Sequence, residues 1–361
     1  MSRCTLVLLC AVMAGTAMAA PSTVKLDAGS IITVTIVEPA AEYDGFRQIV
    51  ANDASGMTLA LQWTAGSGEG KDLRQNQSVL RVVERQDLEE ARKIRPFFSE
   101  SDAERFPGAT AVQTSRRVLD ELKTQGETSL IFAYNRPLSG VGLPFALQTA
   151  PYLRGLIKRQ PDAPFAVILN GERVQLPVVR AAGRLALGKE AADFQFVWLD
   201  DPANAMTLQW TGPSYNVQVT RIDTPAAAAA GKAGAGSALA QSLAAKPCRG
   251  EARGLYFNTG SAVLLEDSAP TLGELGALLQ QHRDWTLTIE GHTDNQGGAA
   301  YNLDLSRQRA TAVVAALVAK GIAAQRLTAQ GHGLSRPKER NDSVAGRAAN
   351  RRVEIARNCG V

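Results

Sequence analysis

The sequence predicts an α+β protein in two parts: a β-rich first part with a duplicated hairpin unit, and a C-terminal β/α/β/α/β-β layer. Three observations predict it. Leu-Gln-Trp-Thr occurs twice, at residues 61–64 and 208–211, each time closing a hairpin pattern. From Thr286 to Val314 a period-two strand pattern passes through a polar, Gly-rich loop into helical spacing. An Ala/Gly-rich stretch, residues 226–247, divides the two.

At 361 residues the chain is long enough for two domains. A net charge of +4, with no dense Lys/Arg run between aromatics, argues against a nucleic-acid partner. Residues 1–19 read as a secretory signal peptide. Arg3 is its basic end, Leu6 to Met13 its apolar core and Ala17-Met18-Ala19 its cleavage site. Leu9 before Cys10 departs from a lipoprotein signal. No later segment supplies the roughly 20 apolar residues of a membrane-spanning helix. The mature chain then keeps two cysteines, Cys248 and Cys359. An even pair in an exported protein predicts a disulfide, with two free thiols as the alternative.

Residues 20–225 are expected to form the β-rich domain. Thr23–Val37 alternates as one or two strands. Phe46–Val50 and Met57–Thr64 make the first hairpin copy, Phe194–Leu199 and Met206–Thr211 the second. Val79–Val83 and Val217–Ile222 follow as third strands. Trp63 and Trp210 become equivalent core residues, with sugar stacking as their functional alternative. Asp87–Ile94 reads as a short helix, Thr114–Thr124 as a longer one ending before Gly126, and Ser129–Tyr134 as a strand. Phe165–Pro177 is a hairpin turning at Asn170-Gly171. Residues 20–247 hold no histidine, so Ser-His-Asp and Cys-His catalysis is absent there. No paired carboxylate stands out either, so no enzymatic activity, catalytic residue or cofactor is expected.

Residues 226–247 read as a linker, flexible at its glycines and with helical character near Ser237–Ala245. In residues 248–361, Leu255–Phe257 is the first expected strand. Pro270–Gln281 is a helix capped by Asp267 or Ser268. The strand from Thr286 ends at Gly291, and Arg326–Gln330 and Arg351–Ala356 close the sheet. Asp294 leaves a strand end, and Arg309 projects from the next helix fifteen positions later. One acceptor and one planar donor suit a zwitterion, with its ammonium on Asp294 and its carboxylate on Arg309. The alternative is that the two simply pair with each other. His292 and His332 each follow a glycine at a strand end. Two histidines without a third ligand predict no metal. The basic residues Arg336, Lys338, Arg340, Arg347, Arg351 and Arg352 read as a solvated face or an attraction to anionic polymer.

Gly291–Asp294 (GHTD), Tyr301-Asn302, Leu305-Ser306, Arg309-Ala310 and Asn350–Ile355 (NRRVEI) together resemble the OmpA-like family, the C-terminal domain of outer membrane protein A. The resemblance covers the last third of the chain, and no transmembrane barrel pattern precedes it. It implies non-covalent binding of peptidoglycan at the meso-diaminopimelate of the stem peptide. Asp294 and Arg309 would be the site, Thr293 and Asn302 its lining, with His292 and Arg351 at its border. The implied protein is a periplasmic one, associated with peptidoglycan and the outer membrane. A compatible reading is an assembly protein whose β-rich domain docks another envelope component. The alternative is a wall hydrolase anchored by the C-terminal domain.

Overall fold

The computed structural model describes residues 24–39, 41–63, 79–97, 103–138, 150–201, 203–225 and 238–359. The expected signal peptide, the Trp63 side chain and the first half of the expected linker lie outside the described residues.

Each copy of the duplicated unit folds as an antiparallel three-strand meander. The first is Ala41–Asp53, Gly56–Trp63 and Val79–Glu84; the second is Glu190–Leu199, Thr207–Thr211 and Asn216–Asp223. Strand Ile31–Glu38 joins them, pairing antiparallel with Ala41–Asp53 on one side and Asn216–Asp223 on the other. Among the described residues the resulting sheet has 15 strands. Its far half contains Tyr152–Gln160 and Val178–Leu187, which the sequence reading did not anticipate. Gly155 and Gly183, each beside an arginine, blur the apolar alternation in those strands. Both glycines sit where a Cβ would come 2.2 Å from a neighbouring backbone oxygen.

Helix Arg116–Gln125 is capped by Ser115, whose Oγ accepts from Val118 N, and ends at Gly126 with φ 79°. It buries Val118, Leu119 and Leu122. The expected Asp87–Ile94 helix runs only over Arg85–Glu90. Ile94 leaves it because Lys93–Ile94 adds to the sheet in parallel with Glu127–Ala133, burying the isoleucine. Asn170 and Gly171 take φ 50° and 80°, the left-handed pair that a type I′ hairpin requires. Trp210 lies in the core with Phe132, Tyr134, Phe194, Phe196 and Trp198, its ring 5.1 Å from that of Phe132. Its burial removes the sugar-stacking alternative at that residue.

The C-terminal sheet has the order Arg249–Glu251, Val353–Arg357, Leu287–Gly291, Leu327–Gly331. The last two pair in parallel and the other neighbours antiparallel. Leu287, Ile289, Val353 and Ile355 pack in one core with Leu272, Leu275 and Leu279 of helix Ala269–Gln281 and Ala310, Val313 and Leu317 of helix Ala299–Ala319. This is the predicted sheet-and-two-helix layer.

The first strand and the helix cap differ from expectation, one helix is new, and the helical character expected near Ser237–Ala245 is present. Arg249–Glu251, not Leu255–Phe257, forms the edge strand. The Tyr256 backbone is taken instead by Ser268 Oγ, which accepts from Tyr256 N at 2.9 Å, and by Leu265 N. Ser268 is therefore not a side-chain cap of its helix. A further helix, Val344–Asn350, is capped by Ser343. Ala238–Ala244, inside the expected linker, is a helix whose Leu239 and Leu243 are buried in the C-terminal core.

Cys248 and Cys359 are joined in a disulfide, with 6.3 Å between their Cα atoms. Among the described residues, no helix is long and apolar enough to cross a membrane.

Candidate functional site

The strand Leu287–Gly291 and the helix Ala299–Ala319 position the site, and two glycines bring them together. A Cβ on Gly291 would lie 2.1 Å from Ser306 O, and one on Gly331 2.5 Å from Arg307 N. The helix thus crosses directly over the ends of the parallel strands, with Arg309 one turn past the crossing. The loop between strand and helix is held by Asn302 Nδ2, which donates to Gln296 O at 2.7 Å. Thr293 N donates to Gly333 O at 3.0 Å, and Thr293 Oγ1 donates to Asp294 O.

Asp294, Arg309, Thr293, Asn302 and Arg351 line one cavity of about 800 Å³, a size suited to a small ligand. His292 is absent from its lining: it is buried behind the loop, its backbone N–H donating to Arg352 O. That corrects the expectation of His292 as a border residue.

Asp294 and Arg309 do not pair with each other by hydrogen bonds. Asp294 Oδ1 accepts from Gln296 N at 2.9 Å, and Oδ2 accepts from Arg351 Nη1 at 2.7 Å. Arg309 lies over the Phe257 ring, 5.2 Å from its centroid. Its Nε donates to Ser261 O at 2.9 Å and its Nη2 to Asn258 O at 3.3 Å. Nη1 has no hydrogen-bond partner among the described residues. Burial, and then the like charge of Arg351, lower the Arg309 pKa to about 10, which still leaves it cationic at neutral pH. A desolvated guanidinium that keeps its charge without a carboxylate hydrogen-bonded to it is poised for an anionic group.

Arg351 is the surprise of the site. Burial disfavours its charge, but Asp44 and Asp294 outweigh that and raise its pKa above the ordinary arginine value. Its Nε and Nη2 grip Asp44 Oδ2 and Oδ1 at 2.8 and 2.7 Å, and its Nη1 also reaches Glu42 Oε1 at 3.3 Å. Arg347 closes a second fork on Glu42, with Nε 3.0 Å from each oxygen and Nη2 2.6 Å from Oε2. Glu42 and Asp44 come from the near end of Ala41–Asp53 in the first sheet. The sequence reading missed them: nothing in a strand of ordinary composition marks two acids as partners of arginines about 300 positions away.

The remaining basic residues are paired too. Lys338 Nζ is 2.7 Å from Glu251, Arg340 Nε is 2.7 Å from Asp342, and Arg352 Nε is 2.6 Å from Glu354. Arg336 Nη1 meets His332 Nε2 at 3.2 Å. Pairing favours local structure over long-range attraction for this cluster. Asn350, first residue of the closing motif, clamps a loop: its Oδ1 accepts from Lys338 N and Glu339 N, and its Nδ2 donates to Glu339 O.

Glu290, His292 and His332 are buried with candidate ligand atoms all within 4.8 Å of one another. Glu290 supplies the third ligand type that the sequence reading did not find. Arg249 contacts Glu290, Arg336 meets His332, and Arg352 adjoins His292. Three guanidiniums around the trio oppose a further cation. Burial and Arg352 push His292 down to about 4, and burial and Arg336 lower His332. Both imidazoles are therefore neutral at pH 7.

Fold and site together define a small α+β module, with the cavity where the end of its parallel strand pair meets the β-rich part. Residues 256–351 match the OmpA family, so the C-terminal part of the chain is an OmpA family domain. The chain is 38% identical over 99 residues to the probable lipoprotein YiaD of Escherichia coli, covering 27% of this chain and 45% of that one. It is 38% identical over 104 residues to the peptidoglycan-binding protein ArfA of Mycobacterium bovis, covering 29% and 32%. It thus spans less than half the length of either relative. The crystal structure of the peptidoglycan-associated lipoprotein from Burkholderia pseudomallei is 29% identical, covering 28% of this chain and 87% of that one, with a TM-score of 0.28.

Proposed function

We propose that this protein is an exported cell-envelope protein that binds peptidoglycan non-covalently through the diaminopimelate of the stem peptide. Its OmpA family domain, taken as residues 248–361, holds the wall, and residues 20–225 form the β-rich domain tethered by it. Residues 1–19 are its signal peptide and 226–247 its connection. The observation that carries the reading is one cavity lined by both Asp294 and Arg309, a carboxylate and a guanidinium that are not hydrogen-bonded to each other. Asp294 takes the ligand ammonium and Arg309 its carboxylate, while Thr293, Asn302 and Arg351 shape the walls. A relative that carries peptidoglycan binding in its name supports the polymer as partner. The reading places the protein in the periplasm, against the wall and the outer membrane, with the β-rich domain free to dock another envelope protein.

The test is co-sedimentation of the full chain with purified sacculi that contain meso-diaminopimelate. Binding that soluble diaminopimelate competes away is expected. No sedimentation with such sacculi overturns the reading. A zymogram on the same peptidoglycan separates it from an anchored hydrolase, for which cleared bands are the sign.

A further inference from the structure

We propose that the site is occupied in this conformation by the chain's own charges, and that wall binding and the Glu42/Asp44 contacts exclude each other. The inference rests on the peptidoglycan reading of the site. A zwitterionic ligand brings a cation to Asp294 and an anion to an arginine. The chain already supplies the cation, and it sets two carboxylates of its own in the same cavity. Arg351 Nη1 fills the cation position on Asp294 Oδ2 at 2.7 Å. The carboxylates of Asp44 and Glu42 stand in the same cavity, on Arg351 and Arg347 rather than on Arg309: Arg351 grips Asp44 in a two-bond fork and Arg347 grips Glu42 in another. The side chains concerned are 8–18% exposed, so water screens these pairs little. The acids lie beside the turn between Ile31–Glu38 and Ala41–Asp53, and Tyr43 and Glu38 of the same corner line the same cavity. Asp44 N also donates to Thr259 Oγ1 at 3.1 Å, pinning the corner to the cavity rim. Movement of this corner takes Glu42 and Asp44 out of the cavity and frees Arg351 to turn from Asp294, while the rest of the contact between the two parts, such as Phe46 against Tyr256, remains. The β-rich part therefore acts as a plug that wall binding displaces.

Apparent affinity falls by the fraction of molecules that are open. For a corner closed nine-tenths of the time, the full-chain E42Q/D44N variant binds a soluble meso-diaminopimelate muropeptide about tenfold more tightly than the parent. Adding D294N removes that gain. Hydrogen exchange gives an independent readout: the Asp44 amide, slow in the free parent, exchanges faster when the muropeptide is added. A variant that melts like the parent but binds no more tightly, or more weakly, overturns the plug and makes Asp44 a positioning residue of an open site. R347Q, which loosens the corner without touching Asp294, Arg309 or Arg351, gives the same answer if the double variant folds poorly. No binding in any background, or binding indifferent to D294N, instead refutes the peptidoglycan reading and the plug with it.

Discussion

Replacing Asp294 by asparagine separates a binding role from a structural one, because the substitution keeps shape and removes charge. In the folded D294N protein the side-chain amide would still offer an oxygen to Gln296 N. It would lose the charge-assisted bond from Arg351 Nη1. Bonds of that kind contribute about 1.5–3 kcal/mol. Arg351 retains Asp44 and Glu42, so no guanidinium is left bare and the loss falls at the low end, about 1.5–2 kcal/mol. In a part of about 110 residues that lowers the melting temperature by roughly 5–12 °C. The effect on ligand is larger. An ammonium left without its carboxylate in a partly desolvated site costs about 2–5 kcal/mol, or roughly thirty-fold or more in affinity. Sedimentation with sacculi, beside a melting curve for each protein, reads both quantities. A folded D294N protein that co-sediments like the parent would refute the assignment. A loss of binding no greater than the loss of folded fraction would refute it as well.

Arg309→Lys is expected to weaken wall binding while keeping the charge, since an ammonium cannot both hold Ser261 O and Asn258 O and present a fork; titration with soluble muropeptide checks it. Breaking the disulfide with Cys248→Ser and Cys359→Ser should lower stability by up to about 4–5 kcal/mol on the loop-entropy model for a separation of 111 residues, read from denaturant midpoints with and without reductant. His292 has a folded pKa of about 4, below its unfolded value, so its contribution to stability is complete above about pH 6.5 and is lost as pH falls towards 4. The parent should therefore lose more stability than His292→Gln over that interval, and equal losses would show that the imidazole is not held neutral. Gly291→Ala drives a methyl into Ser306 O and should cost about 1–3 kcal/mol or more, seen as a lower denaturant midpoint.

The C-terminal domain was legible because its signals are local. Alternation at Leu287 and Ile289, helical spacing from Leu305 to Leu317 and the ordered GHTD, YN, LS, RA and NRR strings each lie within a few residues of the feature they encode. The same holds for the duplicated meanders and the Asn170-Gly171 turn, where side-chain period and backbone φ preference act over single turns and strands. Strands Tyr152–Gln160 and Val178–Leu187 escaped because pairing in the middle of a wide sheet stabilises them despite a weak apolar alternation. The edge strand Arg249–Glu251 escaped because three polar or glycine residues carry no period at all; its backbone finds a partner only once Val353–Arg357 is in place.

The site divides along the same line. The sequence by itself singled out Asp294 and Arg309 as a candidate pair, since both are set by a strand end, a loop and a helix in one short run. Only the tertiary structure decided what those residues face. It placed His292 behind the loop and gave Arg351 to Asp294. It also brought Glu42 and Asp44 across about 300 positions of chain to the two arginines. Ion pairing acts through space with no periodicity along the chain, so its partners become visible only when packing fixes the distances.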